Sequence, residues 1–282
     1  MELDNLLVAS GGGATNSAFT FGSLGLKTGS VFLAGHDVLS QIILSDLKKS
    51  GVKLFAMNTE CQQVKEATNV SLILSPQAGR GDRAILSYWG KENLTKDDIP
   101  WDKIKQTKWF YIAPLHKKAI ALLADLVKFA KKNNIKTAVN PSVEQIIFYR
   151  KNFPQVDILL LNEQEAQMFF PQVRNQKQLL AKIAETSGGI VAITQGQKGC
   201  IVWDGKKFYS AQANPKIIAK ERTGAGDAFG SGFTAGLFLK NNIQYGIRLG
   251  LANSESCIQQ VGAKNGLLTK QGLLNLPNYN IL

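Results

Sequence analysis

The chain has 282 residues, 44% of them hydrophobic and 19% charged, the composition of an ordinary soluble globular protein with a sizeable core. Its 33 Lys and Arg against 21 Asp and Glu leave a formal charge of +12, but the pairs Lys48-Lys49, Lys117-Lys118, Lys131-Lys132 and Lys206-Lys207 are dispersed and no nucleic-acid-binding pattern accompanies them. No run of about 18 apolar residues, no signal-like start and no metal-ligand spacing of Cys61, Cys200 and Cys257 appears, so a cytoplasmic protein without nucleic-acid, membrane or zinc partners is expected.

From the N-terminus, Leu6 to Ala9 reads as an apolar strand running into Gly11-Gly12-Gly13-Ala14-Thr15-Asn16 and a helix over Asn16 to Leu24. Two readings of that junction come from the residues alone. It is a dinucleotide-type turn, with Asn16 where the third glycine of G-x-G-x-x-G belongs and Asp37 downstream, or a plain tight turn with Asn16 capping the helix. Strands over Ser30 to Ala34 and Val52 to Ala56 enclose a helix over Leu39 to Ser50. Ser71 to Ser75 and Ala84 to Tyr88 flank the turn-rich Gln77-Ala78-Gly79-Arg80-Gly81-Asp82 and predict an antiparallel pair.

Strands over Trp109 to Ile112, Thr137 to Val139, Ile158 to Leu161 and Ile190 to Ile193 then alternate with helices over Lys117 to Lys132 and Gln176 to Thr186. A hairpin of Cys200 to Trp203 with Lys207 to Tyr209 turns at Asp204-Gly205, and helices over Ala225 to Leu239 and Ile243 to Gln260 follow. This alternation predicts one α/β domain over residues 1–282, a three-layer sandwich with a central, mostly parallel sheet.

Several junctions carry chemistry. Asn162 and Glu165, at i, i+3 after a strand, form either a capping box or an amide–carboxylate pair able to hold Mg²⁺ through its waters. Asn140-Pro141-Ser142 is either a plain extended connection or a ligand-lining turn, and Thr194-x-Gly196-x-x-Gly199 is at least a glycine turn. The segment Glu221-Arg222-Thr223-Gly224-Ala225-Gly226-Asp227-Ala228-Phe229 is the most specific. Gly224, Ala225 and Gly226 let an anion approach the unpaired amides at a helix N-terminus, and Asp227 beside them is able to take a proton. Gly230, Gly232 and Gly236 suit close helix packing.

This segment resembles the C-terminal signature D-T-T-G-A-G-D-x-F of the ribokinase-like, or PfkB-type, carbohydrate kinases, with Glu221 at the first Asp and Arg222 at the first Thr. The ordered set of the other motifs extends the resemblance over nearly the whole chain. It implies a ribokinase-like fold with a small β lid around residues 69–91, and ATP-dependent transfer of the γ-phosphoryl group to a hydroxyl of a sugar, nucleoside or related polyol. Asp227 is then the base, Gly224, Ala225 and Gly226 stabilise the moving group, Gly11 and Gly12 form a hinge, and Asn16 binds substrate hydroxyls. Asn162, Thr194, Gly196, Gly199, Gly224, Gly226 and Asn253 surround the nucleotide, with Lys198 adding charge. Glu165 is linked to Mg²⁺, and Glu221 with the Gly262-Ala263-Lys264-Asn265-Gly266 loop to a monovalent cation. ATP and a small hydroxylated acceptor are the implied partners, and the lid implies a homodimer. Members of the family carry a further strand and an Asp before the double glycine, where only ten residues precede Gly11 here, so an inner strand is expected to be missing. The alternative expectation that follows is a nucleotide- or sugar-binding protein with little catalysis, and a dinucleotide-dependent dehydrogenase is a third.

Overall fold

The computed structural model describes residues 6–54, 67–74, 84–90, 93–150 and 152–282. The first helix, α1 (Gly13–Ser23), is followed by β1 (Gly29–Ser30), α2 (Val38–Lys49) and β2 (Lys53–Leu54), with β1 and β2 paired in parallel. Asp37 caps α2 by accepting the Ser40 amide at 2.8 Å, and its other oxygen accepts the Thr68 amide at 2.7 Å. That carboxylate is therefore consumed in holding the chain where it approaches β3 (Val70–Leu74) and is not free for a ribose, contrary to a dinucleotide reading. β3 pairs antiparallel with β4 (Ala84–Tyr88) in the register Leu72 to Leu86, as the flanked turn signal predicts.

The body follows as α3 (Trp101–Ile104), β5 (Trp109–Ile112), α4 (Leu122–Lys132), β6 (Lys136–Val139), α5 (Val143–Tyr149), β7 (Ile158–Asn162) and α6 (Glu163–Phe169). Then come α7 (Gln176–Ser187), β8 (Ile190–Thr194), β9 (Cys200–Trp203), β10 (Phe208–Ala211), α8 (Ala225–Lys240) and α9 (Ile243–Ile258). Six strands make one sheet in the order β10-β9-β8-β7-β6-β5, with β5 to β8 parallel and the β9–β10 hairpin antiparallel. Parallel strands covered on both faces need apolar residues on both, which is why β7 reads Ile-Leu-Leu-Leu. Leu159 and Leu161 pack with Leu123, Ile146, Phe169 and Ile183 from α4 to α7, while Ile158 and Leu160 pack with Phe229, Phe233 and Ile247 from α8 and α9. These two cores make the three layers.

Glycine sets the distance between α8 and α9. A Cβ on Gly236 would lie 2.6 Å from the Gly246 Cα, and one on Gly232 would lie 2.9 Å from the Leu249 carbonyl oxygen, so the axes approach as only glycine allows.

The structure differs from expectation at several edges. The strand over Ser30 to Ala34 shortens to Gly29–Ser30, while of the strand over Val52 to Ala56 Lys53 and Leu54 are found as β2 and Phe55 and Ala56 lie outside the described residues. Phe32 and Ala34 are instead buried against Ala18 of α1 and Leu47 of α2. Leu6 to Ala9 is not a strand: Leu6, Leu7 and Val8 are 77%, 57% and 59% exposed, an apolar run with neither a ladder partner nor a core to enter. The helix over Lys117 to Lys132 starts as a 3-10 turn, because Lys117 is left-handed at φ 52°, and turns α-helical only at Leu122. Among the described residues no strand pairs with the outer edge of β5, and β1–β2 forms a separate ladder. None of the described helices is long and apolar enough to cross a membrane.

Candidate active site

The N-terminus of α8 carries no side-chain cap. Its N-cap is Gly224, left-handed at φ 82° and ψ −3°, and a Cβ there would lie 2.6 Å from the Ala263 Cβ, so both conformation and space require glycine. The Ala225 amide turns back to the Arg222 carbonyl at 3.3 Å, and the first regular bond runs from the Ala228 amide to the Gly224 carbonyl at 2.8 Å. Between them the amides of Gly226 and Asp227 have no acceptor among the described residues. A Cβ on Gly226 would meet nothing within 4 Å, and Gly226 is exposed, so the start of α8 is accessible. The buried Thr223 hydroxyl beside them likewise lacks a partner. Unpaired donors at the positive end of a 16-residue helix, with only glycine in front, are an anion cradle.

Asp227, one residue into that cradle, joins the two ends of the chain. Its Oδ2 accepts a 2.8 Å hydrogen bond from Asn16 Nδ2 in α1. Its Oδ1 lies against Gly13, where a Cβ would come within 3.2 Å of it and 3.0 Å of Pro114 Cδ. α1 also starts without a side-chain cap, at Gly12 with φ 91°, so two uncapped helix N-termini converge on one carboxylate. Burial raises the Asp227 pKa above the ordinary aspartate value, while the Asn16 bond and the Lys264 charge pull against that rise. The other amide atom of Asn16, Oδ1, is buried without a partner.

Asn162 and Glu165 form the capping box in full: Asn162 Oδ1 accepts the Glu165 amide and Glu165 Oε2 accepts the Asn162 amide, each at 2.8 Å. Burial pushes the Glu165 pKa up, the Asn162 amide opposes this, and the charge of Asp227 adds to the rise. Among the described residues no three His, Cys, Asp or Glu side chains converge, so Mg²⁺ here would depend on water and phosphate oxygens for most of its shell.

Thr194 sits beside Asn162 in the β7–β8 register, at the ends of adjacent parallel strands. Gly196 is open and left-handed at φ 58°, whereas a Cβ on Gly199 would lie 2.0 Å from the Ala211 carbonyl oxygen. Gly199 thus serves the close passage of the chain after β10. Asn253 is fully buried and used internally: Nδ2 donates to the Ala228 carbonyl at 2.8 Å and toward Thr20 Oγ1 at 3.3 Å, and Oδ1 accepts the Leu268 amide at 2.9 Å. It braces the cradle from behind, with no polar atom left over for a nucleotide. Glu221 Oε2 accepts the Gly262 amide at 2.8 Å, and Arg222 is exposed at the rim. Gly11 and Gly12 are exposed at the start of α1. Asn140 donates to the Leu160 carbonyl at 3.1 Å, and Ser142 caps α5 while bonding the Leu115 carbonyl at 2.7 Å, which favours the plain connection.

Sequence reasoning singled out neither Gly13 nor Lys264 by itself, and Lys264 entered only within the loop linked to a monovalent cation. Gly13 was the third member of a glycine run already singled out. The Lys264 side chain is buried, with Nζ donating to Thr15 Oγ1 at 3.0 Å. Its position in a glycine-flanked loop held no sign of burial.

A family model described as pfkB family carbohydrate kinase matches residues 2–270. The chain is 28% identical over 278 residues to a ribokinase of Lactococcus lactis, spanning 94% of this chain and 84% of that protein. It is 26% identical over 263 residues to a cytidine kinase of Thermococcus kodakarensis, spanning 89% of this chain and 88% of that one. The solved structure of a probable sugar kinase from Rhizobium etli matches with a TM-score of 0.80 at 25% identity, over 94% of this chain and 82% of that chain. The six-stranded central sheet flanked by helices is the ribokinase-like fold.

Proposed function

The chain belongs to the pfkB family of carbohydrate kinases, and within that family we propose that it moves the γ-phosphoryl group of ATP to a hydroxyl of a sugar, nucleoside or related polyol. The observation that carries this reading is the uncapped start of α8, with free Gly226 and Asp227 amides, the unpartnered Thr223 hydroxyl and the Asp227 carboxylate in one place. Phosphoryl transfer asks a protein mainly for alignment and charge stabilisation. The acceptor hydroxyl gives its proton to Asp227 as its oxygen bonds to the γ-phosphorus, and the β–γ bridging oxygen leaves with ADP. The Gly224-Ala225-Gly226 turn, through the amides of Gly226 and Asp227, receives the charge that spreads over the moving group. A carboxyl with a raised pKa is the stronger base for this step.

Asn16, fixed on Asp227 by its amide nitrogen, offers its buried Oδ1 to a second hydroxyl of the acceptor, with Gly11 and Gly12 at the entrance. Asn162, Thr194 and Gly196 line the nucleotide phosphates, Gly199 and Asn253 hold the surrounding backbone, and the exposed Lys198 and Arg222 add charge at the rim. Mg²⁺ supplies neutralisation of the triphosphate when bound, and Glu165 would hold it through water with the oxygen its cap leaves free. Glu221, tied to Gly262, is the carboxylate a monovalent cation would share there.

The test is ADP formation from Mg·ATP by the purified chain against a panel of sugars and nucleosides. Acceptor-dependent ADP formation supports the proposal and names the acceptor class. Stabilisation by ATP with no ADP from any acceptor supports a binding protein instead.

A further inference from the structure

Glu255 of α9 is a buried carboxylate that lies outside the cradle. It is 8% exposed, and both its oxygens are taken by neutral donors: Oε1 accepts the Asn214 amide at 2.7 Å and Oε2 accepts the Tyr279 hydroxyl at 2.8 Å. Burying a carboxylate is costly, and the charge-assisted bonds it makes there are correspondingly strong. Its two partners come from distant parts of the chain. Asn214 opens the segment that runs from β10 to α8 and shapes the first bend of it: its Oδ1 accepts the Lys216 amide at 3.0 Å and its carbonyl accepts the Ile217 amide at 3.1 Å. Tyr279 belongs to the stretch after Leu276, which Arg248 straps to α9 by donating to the Leu276 and Pro277 carbonyls at 2.9 and 3.1 Å. That stretch then meets the edge of β10, where Ser210 and Leu282 exchange two backbone hydrogen bonds, each at 3.0 Å.

The first half of the segment between β10 and α8 has little core packing to fix its course. Pro215, Lys216 and Ile218 are exposed, Ile218 at 82%. Its second half is bonded to α9: the Ile258 carbonyl accepts the Lys220 and Glu221 amides at 2.8 and 3.2 Å, and Ser254 Oγ donates to the Ala225 carbonyl at 3.0 Å. One helix thus holds the segment from Asn214 to the Gly224-Ala225-Gly226 turn, and Glu255 makes the upstream hold. We infer that Glu255, locked by Tyr279, is a positioning residue for the cradle: it fixes the course of residues 214–223, so that the Thr223 hydroxyl and the Gly226 and Asp227 amides stand ready for a nucleotide phosphate. This rests on the phosphotransfer reading, which makes the start of α8 a phosphate site.

The inference is tested by ATP affinity, measured by calorimetry well below the melting temperature, in Glu255→Ala, Glu255→Gln and Tyr279→Phe. Glu255→Ala removes the acceptor of the Asn214 amide and is expected to bind ATP about tenfold more weakly, with kcat at saturating ATP changing less than KM for ATP. Glu255→Gln keeps an oxygen for that amide and stays nearer wild type. Tyr279→Phe leaves the Asn214 bond in place but unlocks the carboxylate, and is expected to lose about threefold, which keeps the test open if Glu255→Ala fails to fold. Variants that melt at a lower temperature yet bind ATP as wild type does would overturn the inference, since that is the mark of a structural role only. A second arm needs no ATP. Amide hydrogen exchange over residues 212–224 should be about tenfold faster in Glu255→Ala, with exchange over β7 unchanged. Unchanged exchange in that segment, or an acceleration shared by β7, would also overturn it. A wild-type chain that binds no ATP would defeat the phosphotransfer reading alone, leaving the exchange arm to decide on Glu255.

Discussion

Asp227 holds its carboxylate between two helix starts that no side chain caps, and the glycines around it are unequal. Gly224 is left-handed and touches Ala263, whereas Gly226 faces open space. Gly224→Ala should therefore destabilise the fold, by about 1–3 kcal/mol from backbone conformation alone. Gly226→Ala should leave the melting temperature near wild type and weaken ATP binding by filling the cradle; thermal unfolding with and without ATP separates the two. Asp227 titrates above the ordinary aspartate value, so turnover should fall as pH drops through that raised pKa, which a pH profile of acceptor-dependent ADP formation checks. By linkage, a lysine whose pKa is lowered on folding, as burial does to Lys264, makes stability rise with pH between about 8 and its ordinary value, which melting temperatures across that range would show. The cradle was legible in the sequence because its glycines and acid are contiguous. Lys264 was not, since its burial arises from contact with a residue 249 positions away.

At the scale of elements, the β7–α6 junction asks one side chain to do two jobs. Glu165→Gln keeps an oxygen to accept the Asn162 amide but removes the charge, so it should change stability by no more than about 0.5 kcal/mol while raising the Mg²⁺ concentration needed for turnover. Glu165→Ala should lose the cap as well, which denaturant titration would show. The lid pair leaves Val70, Leu72, Ile85, Leu86 and Tyr88 exposed, and we propose that a second lid covers them. Sedimentation should then give a dimer that Leu86→Lys converts to monomer, and a wild-type monomer at all concentrations would contradict it. The parallel strands β5 to β8 were readable because burial on both faces leaves unbroken apolar runs. Leu6 to Ala9 is also apolar but has no ladder partner among the described residues, and β1 is short because a strand's length is set by its neighbours, which composition does not record.

Across the whole molecule, the proposed site draws on residues 11–16, 162–165, 194–199 and 221–227, so no short fragment of the chain contains all of them. The fold brings the first and last of these together by packing α1 against α8, and the glycine-spaced contact of α8 with α9 fixes where the cradle stands. In the proposed reading, the formal charge of +12 would complement this arrangement by drawing anionic nucleotides toward a site whose donors are backbone amides. The most direct test of the central claim compares wild type with Asp227→Asn, measuring acceptor-dependent ADP formation and ATP affinity in parallel. The account predicts turnover about 10²- to 10⁴-fold lower in the variant with ATP binding largely retained. Near wild-type turnover in Asp227→Asn would contradict it and remove that carboxylate from the chemistry.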